Sequence, residues 1–282
     1  MVKDIFNTKQ HLLLKDKIHA LKRPVVMGIL NITPDSFYAE SRVSTENEIV
    51  RKAEEMLNQG AEILDVGGYS TRPGAGEISE QEELDRVTGA VQLIRTHFED
   101  AVLSVDTFRA KVAEEALRAG ASMINDISGG EMDPDMWPLV RKMNVPYVIM
   151  HMRGTPQTMM ENTHYDDLLM ELIDYFQQKI GALNAVGIND VIIDPGLGFS
   201  KTLHQNYEII KKLDYFKVLE RPLLIGVSRK SMIYKVLDCT PEQALNGTTA
   251  LNAFAIFNGA KILRVHDVKE AVEVIKLYEN LV

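Results

Sequence analysis

Short apolar runs recur along the chain, and each ends on a polar or charged residue before a stretch with helical spacing begins. There are eight such runs, from VVMGILN to ILRVH. Continuous runs of Val, Ile and Leu are typical of strands buried on both faces, and helices between them indicate a parallel sheet. The polar residues that end these runs are Asn31, Asp106, Asn125 with Asp126, His151, Asp194, Lys230 and His266, and the second run, ILDVGG, surrounds Asp65.

Eight strand and helix units in one chain predict an α/β fold, a single closed (β/α)8 or TIM barrel. The chemistry of such barrels lies at the C-terminal ends of the strands, so the polar run ends are candidate functional residues. The 282 residues suit one barrel, and no break in composition divides them. We therefore predict one domain over residues 1–282, in which residues 1–23 form an N-terminal extension at the barrel bottom.

Two connections, NITPDSFYAESRVS and GGYSTRPGAGEIS, are too long and too rich in Gly and Pro to be simple links. Long loops in compact domains are usually functional, and both follow predicted strand ends. We expect loops 1 and 2 of the barrel to lie at its C-terminal face and to fold over a ligand. After loop 1, a helix is predicted from a cap at Ser44 or Thr45 to Gly60.

The composition describes an ordinary globular protein with an acidic surface. Hydrophobic residues make up 45% and charged residues 25%, and the formal net charge is -9, which argues against nonspecific nucleic-acid binding. No segment has the roughly 20 apolar residues of a membrane span, and the N-terminus lacks the apolar core of a signal peptide. Cys239 is the single cysteine, which favours the cytoplasm.

Positive charge is nevertheless concentrated near the run ends. Arg72, Arg229, Lys230 and Arg264 lie at or just after them. These four residues predict a cationic mouth on an acidic body, which would attract a small anion.

Three of the run ends predict a wall of hydrogen-bond acceptors. Asp106, Asn125 and Asp194 would suit a heterocycle that carries several N–H groups and a carbonyl. Two alternatives stay open: Asp194 in DPG could cap the next turn, and the carboxylates could bind a hard cation. Met150 is a core residue or a soft contact to the face of an aromatic ring.

A second group, Asn31, Arg72, Arg264 and His266, would bind a diphosphate if the four side chains converge. Arginine binds phosphate oxygens through two parallel hydrogen bonds, and an amide or imidazole adds further bonds. Asn31 could instead be a turn residue, and His266 a helix cap or a packed side chain.

Lys230, at the end of the seventh run, has two possible roles. It could be a Schiff-base nucleophile, as in an aldolase, or a fixed cation that binds a ring atom and stabilises a leaving charge. Nothing in the neighbouring sequence specifically lowers its pKa, so we favour the electrostatic role.

The ordered motifs resemble those of the dihydropteroate synthase family, which joins a pterin to 4-aminobenzoate. The resemblance covers nearly the whole chain and rests on MGILNITPDSF, DVGGYSTRPGA, SVDT, INDIS, MHM, DPGLGFSK, GVSRKSM and ILRVHDV. The set in this order is highly specific, although no single member is.

The resemblance implies three subsites, a Mg²⁺ ion near Asn31 and a reaction in which diphosphate leaves before the amine attacks a pterin cation. The implied pterin pocket consists of Asp106, Asn125, Met150, Asp194, Lys230 and Arg264. The implied diphosphate site consists of Asn31, Arg72, Arg264 and His266. The implied 4-aminobenzoate pocket consists of Phe37, Thr71, Arg72, Pro73, Phe199, Ser228 and Lys230. The implied catalytic residues are Asp106, Asp194, Lys230, Arg72, Arg264 and His266.

The resemblance also implies that sulfonamides compete with 4-aminobenzoate and that two copies pair through outer helices, a role compatible with ALNAFAIF. The sequence departs from the family in loop 1, which reads SFYAES where SFSDGG is common, and at Leu197 and Ser200, where Phe and Gly are common. Three rival functions remain: a pterin-binding protein without turnover, a pterin-dependent methyltransferase that acts on a corrinoid partner, and a Lys230 aldolase.

Overall fold

The structure is a computed structural model that describes residue 9 and residues 11–14, 17–32, 42–69 and 78–282. Most of loop 1 and the middle of loop 2 therefore lie outside the described residues. Four of the predicted site residues belong to these segments: Phe37, Thr71, Arg72 and Pro73.

Eight parallel strands close into a barrel, as the sequence predicts. An antiparallel hairpin, β1 (His11–Leu14) and β2 (Lys17–Ala20), precedes them. The barrel strands are β3 (Val25–Asn31), β4 (Ile63–Gly67), β5 (Val102–Asp106), β6 (Met123–Asp126), β7 (Tyr147–Met150), β8 (Val191–Asp194), β9 (Leu223–Ile225) and β10 (Ala260–Val265). They pair in chain order, and β10 pairs with β3 to close the ring.

Helices follow the barrel strands and cover the outside of the ring. They are α1 (Arg42–Gln59), α2 (Glu80–His97), α3 (Ala110–Ala119), α4 (Met136–Met143), α5 (Leu168–Ala185), α6 (Leu203–Lys211), the single turn α7 (Ser231–Tyr234), α8 (Leu245–Phe257) and α9 (Val268–Glu279). Helix α1 begins at Arg42, earlier than the predicted cap at Ser44 or Thr45. Within the described part of the chain, no helix is both long and apolar enough to cross a membrane.

The residues of each strand alternate between two apolar layers. One face packs against the helices, and the other fills the lower half of the barrel interior. The interior cluster contains Val25, Met27, Ile63, Val102, Met123, Val148, Ile192, Leu224 and Ile262. Leu12 and Leu14 of the hairpin and Leu21 belong to the same cluster, so this part of the N-terminal extension packs against the bottom of the barrel.

Candidate active site at the C-terminal face of the barrel

Alternation along the strands places the polar run ends above the apolar filling of the barrel. On β5, Val102 belongs to the interior cluster, and Asp106 follows four residues later on the same face. On β6, Asn125 stands in the same way above Met123. The same relation holds for Asn31, Asp65, Met150, Asp194 and Arg264. These side chains therefore share the upper interior of the barrel.

The strand register brings several of these residues to one level. Asn31 pairs with Gly67, Gly67 with Asp106, and Asp106 with Asn125. A Cβ atom on Gly67 would lie 3.6 Å from Asn31 Oδ1 and 3.7 Å from Asp106 Oδ2. The two oxygen atoms thus flank the space above Gly67.

Arg264 is the centre of the polar network. Its Nε donates to Asp65 Oδ2 at 2.6 Å, and its Nη2 donates to Asp106 Oδ2 at 2.5 Å. Asn125 Nδ2 donates to the same Asp65 oxygen at 2.9 Å. A carboxylate accepts but does not donate, so the Asn125 amide group faces Asp65 with its nitrogen and turns its acceptor oxygen away.

Charge in this network is unbalanced, because two carboxylates share one guanidinium. Burial raises the pKa of the Asp106 carboxyl to about 7, because desolvation and the neighbouring Asp65 carboxylate together outweigh the attraction of Arg264. The cluster carries a net negative charge when both carboxyl groups are ionised, which suits a ligand that becomes cationic.

Asp65 was not assigned a role from the sequence. It lies two residues before the end of β4, inside the apolar run ILDVG, and is fully buried. The available signal was a charged residue within an otherwise apolar strand, because such residues are rarely buried without a partner.

Asp194 ends β8 and takes part in two arrangements. Its Oδ1 accepts from the backbone N–H of Gly196 at 2.8 Å, so it caps the following turn, as the alternative interpretation of DPG predicts. It also faces the barrel interior. Burial raises its pKa, while the charge of Lys230 opposes that increase.

Lys230 does not end a strand, which corrects the prediction. Strand β9 stops at Ile225, and Lys230 is the residue before α7, with its N–H bonded to Val227 O at 3.0 Å. The run LLIGVSRK is apolar as far as Val227, but it leaves the sheet at Gly226 and turns, so the strand is shorter than the run.

The ammonium group of Lys230 joins two loops at the mouth. Its Nζ donates to the carbonyl oxygen of Leu197 and lies 4.9 Å from the centre of the Phe199 ring. Burial lowers its pKa to about 8, although Asp194 favours the charged form. The group is therefore mainly a protonated donor at pH 7.

Ser228 and His266 form a pair on neighbouring segments. Ser228 Oγ lies 3.1 Å from His266 Nδ1 and accepts from the His266 backbone N–H at 3.1 Å. Arg229, in contrast, does not add an uncompensated cation to the mouth, because its guanidinium bonds to the carboxylate of Asp267.

Met150 is buried in a small apolar cluster at the mouth, separate from the main core. The cluster consists of Phe108, Ile127, Met150, Met152 and Met159, with Tyr69 and Phe199 packed against it. Met150 is therefore both a core residue and part of the apolar surface beside Phe199.

Both ends of loop 2 are attached to the barrel by arginines. Arg86 Nη1 donates to Gly68 O at 3.3 Å, and Arg109 Nη2 donates to Ile78 O at 3.0 Å. Arg109 also bonds to the buried carboxylate of Glu83 at 2.7 Å. Arg86 of α2 and Arg109, which precedes α3, thus hold the two described ends of loop 2.

Comparison with known proteins agrees with this arrangement. A family model described as "Pterin binding enzyme" matches residues 27–266. The dihydropteroate synthase of Escherichia coli is 43% identical over 92% of this chain and 92% of its own length. The dihydropteroate synthase of Synechocystis sp. is 42% identical over 92% of this chain and 91% of its own length.

Solved structures are similar over nearly the entire chain. The dihydropteroate synthase of Yersinia pestis in complex with a sulfonamide drug superimposes with a TM-score of 0.89 and is 43% identical, covering 96% of this chain and 98% of its own. That of Xanthomonas albilineans with 4-aminobenzoic acid has a TM-score of 0.89 and 36% identity, covering 97% and 98%. The chain therefore belongs to the pterin-binding enzymes and, among them, to the dihydropteroate synthase family, which confirms the resemblance seen in the motifs.

Proposed function

We propose that the protein condenses 6-hydroxymethyl-7,8-dihydropterin diphosphate with 4-aminobenzoate to give 7,8-dihydropteroate and diphosphate. The bond between the pterin methylene carbon and the diphosphate oxygen breaks, and a bond from that carbon to the amine nitrogen forms. The amine loses one proton. The observation that carries this proposal is Arg264, which bridges Asp65 and Asp106 beside Asn125 in the barrel interior.

The pterin ring binds in the upper interior, against Asp106, Asn125 and Asp194. The acceptor oxygens of these side chains match the N–H groups along the edge of a pterin. Met150 and Arg264 lie against the ring, and Lys230 donates to a ring atom. The depth of this site supports the assignment, because Asn125 and Asp194 are buried at 5% and 7% exposure and a flat ring would be largely enclosed.

The diphosphate binds above the ring, at the mouth of the barrel. Asn31, Arg72, Arg264 and His266 surround it, and the cationic side chains match its charge. Diphosphate leaves readily only when its charge is neutralised, so these residues act mainly on bond breaking.

Asn31 is the protein ligand proposed for a Mg²⁺ ion. Its amide oxygen is a hard donor at the exposed end of β3, and Mg²⁺ commonly binds one or two protein oxygens together with substrate phosphates and water. Among the described residues, no cluster of three or more His, Cys, Asp or Glu could hold a metal ion alone. A Mg²⁺ ion held by Asn31 would neutralise charge on the leaving diphosphate.

Removal of Mg²⁺ tests this assignment. EDTA should abolish turnover, and added Mg²⁺ should restore it. Asn31→Ala should raise the Mg²⁺ concentration needed for half-maximal activity, whereas an unchanged requirement would exclude Asn31 as the ligand.

Positive charge develops on the pterin as diphosphate leaves. The ionised carboxylates of Asp106 and Asp194 stabilise it, and the excess negative charge around Arg264 contributes. The amine of 4-aminobenzoate then attacks the methylene carbon. No base is required for this attack, because a neutral aniline is nucleophilic enough towards a cation.

The 4-aminobenzoate pocket lies at the mouth beside Phe199, Ser228 and Lys230. The motif resemblance assigns Phe37, Thr71, Arg72 and Pro73 to the same pocket, and these four lie outside the described residues. The contact of Lys230 with the Phe199 ring supports this position, since a cation and an aromatic face together suit an aromatic carboxylate.

Turnover by the purified protein is the decisive test. The protein is mixed with the pterin diphosphate, 4-aminobenzoate and Mg²⁺, and diphosphate release and pteroate formation are followed together. Equal amounts of both products are expected, and a sulfonamide should compete with 4-aminobenzoate. Pterin binding without product would favour a binding protein, and borohydride trapping of Lys230 with a carbonyl substrate would favour an aldolase.

Arg72→Ala tests the division between subsites. Turnover should fall more than the affinity for a pterin that lacks diphosphate. A large loss of that affinity would instead place Arg72 against the ring. Arg51→Ala, at an exposed position on α1, is the matched control and should leave both quantities unchanged.

The protein is further proposed to act as a homodimer in the cytoplasm. Phe254 and Phe257 of α8 and Leu277 of α9 are 43%, 54% and 68% exposed, which supports an apolar contact between outer helices. Light scattering on the purified protein should give twice the chain mass, and Phe257→Glu should reduce it to one chain.

A further inference from the structure

Lys201 is a buried lysine beside the proposed site that none of the three subsites uses, and burial lowers its pKa to about 7, although the charge of Asp194 favours the protonated form. It is the last residue of the motif DPGLGFSK, and only 2% of it is exposed. A lysine at this depth requires several acceptors, because an unpaired buried charge is very costly. Its partners therefore indicate what the residue holds in place.

The ammonium group joins the ends of two neighbouring strands. Lys201 Nζ donates to Phe199 O at 3.0 Å, to Gly196 O at 3.1 Å and to His151 O at 3.3 Å. It also lies 3.1 Å from His151 Nδ1. One of these residues follows β7, and the others belong to the segment after β8, which we call the β8 loop (residues 195–202).

His151 is a neutral acceptor in this arrangement. Burial lowers its pKa to about 2, and the nearby charges of Lys201 and Arg153 act in the same direction. In its ammonium form Lys201 can only donate, so Nδ1 then accepts and the ring proton lies on Nε2. A T-shaped contact with Tyr175, at 4.8 Å between ring centres, holds the imidazole in place.

The β8 loop has an unusual backbone that needs such support. Gly196, Gly198 and Ser200 have φ values of 71°, 84° and 45°, all in the left-handed region. A Cβ atom on Gly196 would lie 2.1 Å from His151 O, so the loop packs directly on the end of β7. The carbonyl groups of this tight turn point inward, and the cation of Lys201 is what they bind.

Two residues of the proposed site, Asp194 and Phe199, lie at the end of β8 and in the β8 loop, and different contacts hold them in place. Asp194 is the last residue of β8 and pairs with Met150, and its backbone carbonyl oxygen accepts from the His151 backbone N–H at 3.1 Å. Phe199 lies in the loop, and its carbonyl oxygen is bound directly by Lys201. Loss of the Lys201 side chain should therefore displace Phe199 much more than Asp194, although it also removes a charge that lowers the pKa of Asp194.

We propose that Lys201 is a positioning residue which, with His151 as its acceptor, fixes Phe199 and hence the 4-aminobenzoate pocket relative to the pterin wall. This inference rests on the proposed function, since it assigns Phe199 to that pocket. A purely structural lysine would lower the amount of active enzyme and so reduce kcat alone. A positioning lysine changes the KM for one of the two substrates.

The test compares steady-state kinetics of four variants with the wild type. Lys201→Met keeps the apolar stem and removes the donors, and it should raise the KM for 4-aminobenzoate about tenfold or more while changing pterin affinity less than about threefold. His151→Leu removes one acceptor and should shift the same KM in the same direction. His151→Asn places an amide oxygen near the position of Nδ1 and should restore most of the wild-type value. Lys211→Met, at an exposed position on α6, should match the wild type.

The outcomes separate this inference from the proposed function. A wild-type protein that makes no pteroate overturns the proposed function itself. An active wild type with an unchanged 4-aminobenzoate KM in Lys201→Met overturns the role of Lys201 alone, as does an equal loss of affinity for both substrates. If Lys201→Met fails to fold, the comparison of His151→Leu with His151→Asn decides, and equal KM values in that pair contradict the proposal.

Discussion

Arg264 donates from Nε to Oδ2 of Asp65 at 2.6 Å, although 199 residues separate the two along the chain. Closure of the barrel brings them together, because β10 and β4 both neighbour β3. Asp65 also accepts a hydrogen bond from the side-chain amide of Asn125. One buried carboxylate therefore orients both a guanidinium group and an amide of the proposed pterin pocket.

Asp65→Asn should weaken pterin binding at least tenfold, although Asp65 itself is not among the groups expected to touch the ring. The neutral amide that replaces the carboxylate no longer balances the charge of Arg264. Its nitrogen can also face Asn125, which is then no longer held in its present orientation. We also expect the free energy of unfolding to fall by roughly 3 kcal/mol, since one partner of a buried ion pair is lost. Calorimetry with 6-hydroxymethylpterin and urea denaturation measure the two effects. Asp85→Asn, on the exposed face of α2, should change neither.

The pH dependence of kcat/KM should show an acid limb near pH 7. Burial raises the pKa of Asp106 to about 7, and the ionised form is the one that stabilises a pterin cation. As the pH falls below 7, this charge is lost and the rate should decrease about tenfold per pH unit. In Asp106→Asn the limb should disappear and the rate at pH 8 should be roughly 100-fold lower. An unchanged limb in this variant would show that another group controls it.

A basic limb should appear near pH 8. Burial lowers the pKa of Lys230 to about 8, so the ammonium form is lost as the pH rises through that value. Lys230→Arg keeps a cation that stays charged throughout this range. The activity that remains in Lys230→Arg should therefore lack the basic limb, even if its maximum is reduced. A basic limb that persists near pH 8 in Lys230→Arg would show that another group causes it.

The stability of the protein should fall between pH 6.5 and pH 5 because of His151. Its ordinary pKa is 6.5, and burial lowers it to about 2 in the folded protein. Below pH 6.5 the unfolded chain binds a proton that the folded protein does not, so acid favours unfolding until the pH approaches 2. The expected loss by pH 5 is about 2 kcal/mol. His151→Asn should remove this part of the slope in denaturant titrations, whereas His97→Asn, at an exposed position on α2, should not.

Ser200 allows a test of backbone strain in the β8 loop. Its φ of 45° is costly for a residue with a side chain, but its Oγ accepts from the Arg153 backbone N–H at 3.0 Å. Ser200→Gly loses this bond and removes the strain, and each effect is worth about 1 kcal/mol. Ser200→Ala loses the bond and keeps the strain. Urea denaturation should find the Gly variant more stable than the Ala variant by about 1 kcal/mol, and the reverse order would contradict the strain argument.

The barrel and much of the candidate site could be predicted from local patterns. Each barrel strand is an apolar run with β-branched residues, and α1 ends at Gln59, next to the Gly60 that the pattern indicates. Asp106, Asn125 and Asp194 were identifiable because they stand at the ends of such runs. Lys230 was assigned to a strand that stops at Ile225, because an apolar run does not show where the chain leaves the sheet.

The roles of Asp65, His151 and Lys201 required the folded chain. Asp65 lies inside an apolar run, and Lys201 lies behind a loop whose carbonyl groups converge only through positive φ values at Gly196, Gly198 and Ser200. The sequence places Arg229 among the cations of the mouth, but its bond to Asp267 is visible only in the structure.

The sequence by itself determined the alternation of strands and helices and the set of polar residues at one face of the barrel, because hydrophobic periodicity acts over a few residues. Only the tertiary structure decided which of these residues are partners. Those pairings depend on barrel closure and strand register, which bring together side chains as far apart in the chain as Asp65 and Arg264. Once they are close, the buried charges pair with each other, because an unpaired buried charge is costly.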